Sequence, residues 1–136
     1  MRSVIETAPA EDVCILDTEA SPEHLSRGTA RYADGLLAVV EPYFKSLETG
    51  RRMAALANDL GLERVSLVAN KIRDDRDLAA VKEFASQHEL GLAGVIPFDE
   101  QLSAAERAGL APLDFDPTSP AVEAIGKLAR EFVGAR

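Results

Sequence analysis

A chain of 136 residues is the size of one domain with a single core, and its 46% apolar fraction excludes a disordered polymer. A formal net charge of −8, with no basic cluster to offset it, argues against nucleic acid or an anionic membrane surface as partner, because phosphates attract Lys/Arg-rich faces. No apolar run approaches the roughly 20 residues of a membrane span, and no secretory leader pattern precedes the first strand, so the cytoplasm is the expected location.

Residues Met1 to Glu11 show no clean period and read as a lead-in. The apolar run Val13-Cys14-Ile15-Leu16 predicts a buried first strand from about Asp12 to Leu16, which delivers Asp17 to its carboxyl end. Cys14 reads as a small buried hydrophobe in that strand. As the one cysteine, it forms neither an internal disulfide nor a cysteine-only metal site within one chain. Ser21-Pro22 is a helix N-cap followed by proline at the first helical position, and Glu23 complements the positive helix end.

The run Gly35-Leu36-Leu37-Ala38-Val39-Val40-Glu41, stopped by Pro42, predicts a strand buried on both faces. Met53, Leu56, Ala57 and Leu60 then fall at i, i+3, i+4 and i+7, predicting an amphipathic helix with Ser46 as N-cap and Gly61 as its stop. Arg64–Asn70 reads as the third strand. Asp74 and Asp75 open a further helix with Leu78, Val81, Phe84 and Ala85 inward, closed by Leu90-Gly91. The fourth strand, Ala93–Ile96, ends at Pro97. A short helix from Leu102 to Ala108 carries a Ser103/Glu106 capping box and ends at Gly109. Ala111–Thr118 reads as a loop, after which Ser119-Pro120 repeats the cap-plus-proline signal. Val122, Ile125, Leu128, Ala129, Phe132 and Val133 mark the terminal helix. Strands alternating with helices imply an α/β fold whose mostly parallel sheet of about four strands has flanking helices, in a single domain over residues 1–136.

In such sheets ligands sit outside the carboxyl ends of the strands, so Asp17, Thr18, Glu19 and His24 are the first candidates for chemistry. A simple loop cap is the competing reading of Asp17. A second constellation is Asn70-Lys71 after the third strand, with Pro97-Phe98-Asp99 after the fourth. Strand-end capping by Asn70 and ordinary packing of Phe98 compete with a ligand role there. Phosphate chemistry calls for a Gly-rich cradle of N–H groups with a lysine, and no G-x-x-x-x-G-K-[ST] pattern occurs in these residues. His88, Arg51, Arg52 and the Arg73–Arg76 run read as solvated surface, while Arg27 suits a helix face, a phosphate or a partner carboxylate equally.

Taken together, Asp17-Thr18-Glu19-Ala20, Glu23-His24-Leu25-Ser26-Arg27-Gly28-Thr29, Val39-Val40-Glu41-Pro42-Tyr43, Ser46-Leu47-Glu48-Thr49, Asn70-Lys71 and Pro97-Phe98-Asp99-Glu100 carry a resemblance. The chain resembles the C-terminal half of MinD/ParA-like P-loop ATPases, most closely the CooC-type accessory ATPases that mature nickel carbon monoxide dehydrogenase. The resemblance implies a partial, three-layer P-loop NTPase fold that takes ATP with magnesium. It implies Asp17 as the magnesium-side carboxylate, Asn70 with Lys71 on the adenine, and Pro97, Phe98 and Asp99 lining the other side of the base. Thr18, Glu19, Ser21 and His24 would form the switch-like turn, although Ser21 and Pro22 stand where the family commonly has a glycine-bearing turn.

Guanine-reading relatives place a carboxylate two residues after the lysine; Arg73 stands there, with Asp74 one step late, so guanine is disfavoured. The CooC-type nickel site is attributed to a Cys-x-Cys pair, which a single cysteine does not supply, so nickel is not expected in this chain and no metal residue is carried over. The implied partners are a second copy of the chain, a complementing N-terminal P-loop half, and a metalloenzyme client. The competing reading is a non-catalytic interaction or regulatory module on the same scaffold, because hydrolysis without the phosphate cradle is not expected of this chain alone.

In this fold the P-loop strand lies between the strand bearing Asp17 and the one ending at Glu41-Pro42. Leaving it out opens a gap in which each unpaired backbone group costs about 1–3 kcal/mol. Either the two flanking strands pair directly, or a separate N-terminal half fills the gap.

Overall fold

The structure, a computed structural model, describes residues 12–18 and 33–134. Three strands, β1 (Leu36–Val40), β2 (Val65–Ile72) and β3 (Gly91–Pro97), form one parallel sheet in the order β1-β2-β3. The helices between and after them are α1 (Phe44–Asp59), α2 (Asp75–Gln87), α3 (Glu100–Ala108), the one-turn α4 (Pro112–Phe115) and α5 (Pro120–Gly134). Successive strand residues point to opposite sheet faces. Ala38, Val40, Leu67 and Ala69 meet Leu47 of α1 and Val81 and Ala85 of α2 on one face. Val68 and Ile96 meet Ala121 and Leu128 of α5 and Leu102 of α3 on the other. The result is helix, sheet, helix, as the alternating sequence implied.

Local chemistry explains where the helices stop and start. Asp74, in an extended conformation, caps α2 by accepting from the Arg76 and Asp77 amides, each at 2.9 Å. Gly61 and Gly109 end α1 and α3 in left-handed conformations, φ 88° and 68°, which a residue without Cβ adopts at little cost. At the amino ends of the strands, the Arg64 guanidinium donates to the Phe132 carbonyl at 2.6 Å and lies over the Phe132 ring, 4.5 Å from its centroid, fastening α5 to the sheet.

Several expectations are corrected. Among the described residues the sheet has three strands, not about four, and residues 12–18 adopt no regular secondary structure. Val13 and Ile15 are exposed, and Cys14 is exposed instead of buried. The run has the composition of a strand, but a strand exists only where a neighbouring edge accepts its backbone. Direct pairing of this run with β1 is not made: among the described residues β1 pairs with β2 alone, at the sheet's edge, and Val39 is 59% exposed on the face that α5 leaves bare.

Ser46 is not the cap of α1, which begins two residues earlier after extended Tyr43; the Ser46 hydroxyl instead accepts the Glu41 amide at 2.9 Å. Ser103 lies inside α3, because Asp99 caps that helix first by accepting from the Gln101 amide. Leu90-Gly91 does not close α2: Glu89, at φ 55°, makes the turn, and Gly91 already belongs to β3. The 111–118 segment contains α4, with Pro112 at its start. On α5 the apolar stripe packs inward at Leu128, yet Ile125 stays 44% exposed because no further element covers it among the described residues.

Candidate functional site

Because all three strands run the same way, their carboxyl ends share one rim of the sheet. Glu41 and Pro42 leave β1 there, Asn70 and Lys71 sit in the last residues of β2, and Pro97, Phe98 and Asp99 close β3. The rim is knitted across strands. Ile72 pairs with Pro97, and the Phe98 amide donates to the Ile72 carbonyl at 2.8 Å. The structure therefore brings together two sequence-distant groups of candidates, Asn70 with Lys71 and Pro97 with Phe98 and Asp99.

Their roles within the rim differ. Asn70 is half-buried on the sheet face opposite Ala69. Lys71 has a left-handed backbone, φ 56°, at the irregularity in the β2–β3 register between Ala69 and Ile72. This conformation is costly for a residue with Cβ and persists only where surrounding contacts hold it. One such contact is visible: the Lys71 ammonium donates to Glu41 Oε1 at 2.8 Å, tying the end of β2 to the end of β1 and raising the lysine pKa. The pair is partly exposed, so its direct contribution is about 0–1 kcal/mol, and its main effect is to hold geometry.

Asp99 serves two helices at once. One oxygen accepts the Gln101 amide of α3 and the other the Ala121 amide of α5, at 2.9 and 3.0 Å. The Ala121 and then the Gln101 hydrogen bond hold its pKa below the ordinary carboxylate value, and the Ser119 hydroxyl lies beside it without meeting the geometry of a bond. A depressed folded-state pKa contributes stability that is present above the unfolded Asp value, near pH 4, and is lost as the pH falls through the folded one. The melting temperature of the parent chain is thus expected to fall more steeply below about pH 4 than that of Asp99→Asn. Equal slopes in a thermal-melt series over acidic pH would show that the two caps do not depend on the charge.

Sequence reading missed the partner of Phe98. The ring is 40% exposed, and the Arg73 guanidinium stacks over it with Cζ 3.9 Å from the centroid. The Arg73 backbone is held in turn, its amide donating to Asp77 Oδ2 at 2.9 Å. No local signal announces this pairing, since only the β2–β3 register brings positions 73 and 98 together. Asp17 and Thr18 are exposed and enter no hydrogen bond or ion pair with another described residue, whereas Glu19, Ser21 and His24 lie outside the described residues.

No family model matches. The carbon monoxide dehydrogenase accessory protein CooC of Rhodospirillum rubrum is 37% identical over 107 residues, 79% of this chain and 40% of CooC. An ATP-binding protein of Methanocaldococcus jannaschii is 40% identical over 120 residues, 87% of this chain and 45% of that protein. The chain belongs, over part of the family's length, to the MinD/ParA-like family of CooC type. Among solved structures, the MinD cell division protein of Aquifex aeolicus superposes with a TM-score of 0.67 at 22% identity, over 79% of this chain and 47% of that one, a likeness of fold. The chain thus spans less than half the length of these two curated relatives.

The family resemblance implies magnesium beside the nucleotide. Among the described residues no three His, Cys, Asp or Glu side chains cluster to hold a metal ion, and the two rim carboxylates Asp99 and Glu41 are engaged by amides and by Lys71. The described donor set by itself does not fit the ion.

Proposed function

We propose that this chain is the base-side portion of a MinD/ParA-type ATP-binding protein, with the adenine seated on the rim formed by the ends of β2 and β3. The observation that carries the reading is the joining of Asn70 and Phe98 on one rim through the Phe98–Ile72 hydrogen bond. An amide both donates and accepts, which matches the neighbouring N–H and nitrogen acceptor on an adenine edge. Pro97 and Phe98 border the same seat. Both Asp99 oxygens are taken by backbone amides, so Asp99 shapes the turn whose backbone faces the base, and Lys71, clamped to Glu41, positions Asn70.

The phosphate side would come from a complementing P-loop segment. The outer edge of β1, which no strand pairs among the described residues, and the exposed Val39 beside it offer a place for such a strand. Asp17 is assigned the magnesium-side carboxylate of the completed site, with Thr18, Glu19, Ser21 and His24 as the adjoining turn. The finer proposals are that the complete assembly acts in the cytoplasm as an ATPase, works as a dimer, and serves a metalloenzyme client of the carbon monoxide dehydrogenase kind. No described helix is long and apolar enough to cross a membrane.

Calorimetry of the purified chain with ATP and ADP in the presence of magnesium tests the base seat, with GTP as the control. ATP is expected to bind in preference to GTP. Asn70→Ala should weaken that binding by about 1–2 kcal/mol, or roughly 5- to 30-fold, the cost of an unmet polar edge. A folded chain that binds neither nucleotide would transfer the scaffold to the second reading, a non-catalytic interaction or regulatory module. That reading is favoured specifically by the outer β1 edge, which no strand pairs among the described residues.

A further inference from the structure

The segment that follows α3 takes no part in the base seat or in the β1 edge, and its backbone is held in one shape. The Leu110 amide donates to the Ala105 carbonyl, the Asp114 and Phe115 amides to the Ala111 carbonyl and the Asp116 amide to the Pro112 carbonyl, each at 3.0 Å. Pro112 fixes the entry into α4, and the Asp116 carboxylate accepts the Thr118 amide and hydroxyl at 3.0 and 2.9 Å. On this braced turn three large apolar side chains face water: Leu113 is 64% exposed, Leu110 50% and Phe115 37%. Apolar residues scattered singly over a surface need no explanation, but three on one short turn form a patch.

The charge around the patch is one-sided. Over residues 99–123 six carboxylates stand against one cation, Arg107, so this stretch carries a net −5 of the chain's −8. Glu106, Asp114 and Glu123 are exposed and enter no ion pair with another described residue. Apolar anchors bordered by uncompensated carboxylates select a partner that brings apolar and cationic side chains together. A second copy meeting this surface face to face would set the same carboxylates against each other. Anionic lipid and nucleic acid are repelled in the same way. Nor do the chain's remaining stretches supply cations in excess: residues 1–11 set Arg2 against Glu6 and Glu11, and residues 19–32 set Arg27 and Arg31 against Glu19 and Glu23.

We propose that the turn at 110–115 is a docking surface for a basic amphipathic segment of a partner protein. The segment's apolar side chains seat on Leu110, Leu113 and Phe115, and its Lys or Arg side chains meet Glu106 and Asp114. The braced backbone leaves little ordering to be done on binding. The surface is independent of the nucleotide, because it shares no residue with the base seat.

The test is fluorescence anisotropy of a labelled helical peptide of leucine and lysine, apolar on one face and basic on the other, titrated with the full chain. A peptide of leucine and glutamate in the same pattern is the control. The lysine peptide is expected to bind and the glutamate peptide not to. Leu113→Ser should weaken the binding at least about tenfold, the scale of losing one buried apolar anchor. Asp114→Asn should weaken it by less and make it less sensitive to salt. Glu83→Gln removes a carboxylate from α2, which packs on the other face of the sheet from α3, and should leave the affinity at the parent value. Circular dichroism melts establish that each variant is folded; should Leu113→Ser not fold, Leu110→Ser carries the same expectation. A folded leucine variant that keeps the parent affinity, or equal losses for Glu83→Gln and Asp114→Asn, would overturn the assignment. So would a parent chain that binds neither peptide or both alike. A dimer seen by sedimentation without peptide, and dissolved by Leu113→Ser, would overturn it by giving the surface to a second copy.

Discussion

Leu67→Ala is expected to lower the unfolding free energy by about 2–5 kcal/mol, the range for deleting a buried leucine side chain. Leu67 is fully buried in the central strand, between β1 and β3 and beneath α1 and α2. Many of the residues around it are alanines: Ala38, Ala69 and Ala85 belong to the same cluster. Small neighbours have little side chain to move into a vacated space, so the cavity would persist and the loss should fall toward the upper half of that range. Domains of this kind have about 5–15 kcal/mol in all, so the loss is a large share of the whole stability. Urea unfolding followed by circular dichroism reads the effect as a fall in the midpoint at unchanged slope. A loss below about 1 kcal/mol would mean that the sheet and helices close up over the gap.

Gly50→Ala should also destabilise, against its helix propensity. Alanine in a helix interior is worth about 1 kcal/mol over glycine, and a gain would be expected if Gly50 faced solvent. It faces the sheet. A Cβ at this position would overlap Val40 Cγ1 and lie 3.4 Å from Leu67 Cδ2. Val40 is 1% exposed and β-branched, so its χ1 is restricted and the packed surroundings leave it little room to move. The net outcome is expected to be a loss of about 1–3 kcal/mol, the usual cost of overpacking, read in the same urea experiment. The double variant Val40→Ala with Gly50→Ala separates clash from propensity: if the clash is the cause, the pair is more stable than the sum of the single effects predicts. Additive losses would place the cause elsewhere.

How much of this was legible in the residues follows from the range over which each feature is decided. Helix caps and stops are local, and Asp74, Gly61, Gly109 and Pro120 were readable because the chemistry lies within a few residues of the position it governs. Ser46 and Ser103 misled for the same reason, since both are good caps that lose to the sites three and four residues earlier where the chain turns. The apolar runs at 35–41 and 64–70 foretold β1 and β2, because strands buried on both faces leave a compositional mark. The run at 13–16 carries the same mark and makes no strand, because pairing needs an edge that local sequence cannot provide.

The sequence by itself determined the α/β alternation, the parallel sheet, the family, and the grouping of Asn70-Lys71 and Pro97-Phe98-Asp99 at strand ends. These rest on periodicity and short motifs, which are properties of neighbouring residues. Only the tertiary structure decided that Lys71 spans to Glu41, that Asp99 starts two helices, and that Arg73 lies on Phe98. Each of those contacts joins residues more than 20 positions apart, or uses one side chain for two distant backbones. The register of three parallel strands is what sets them side by side.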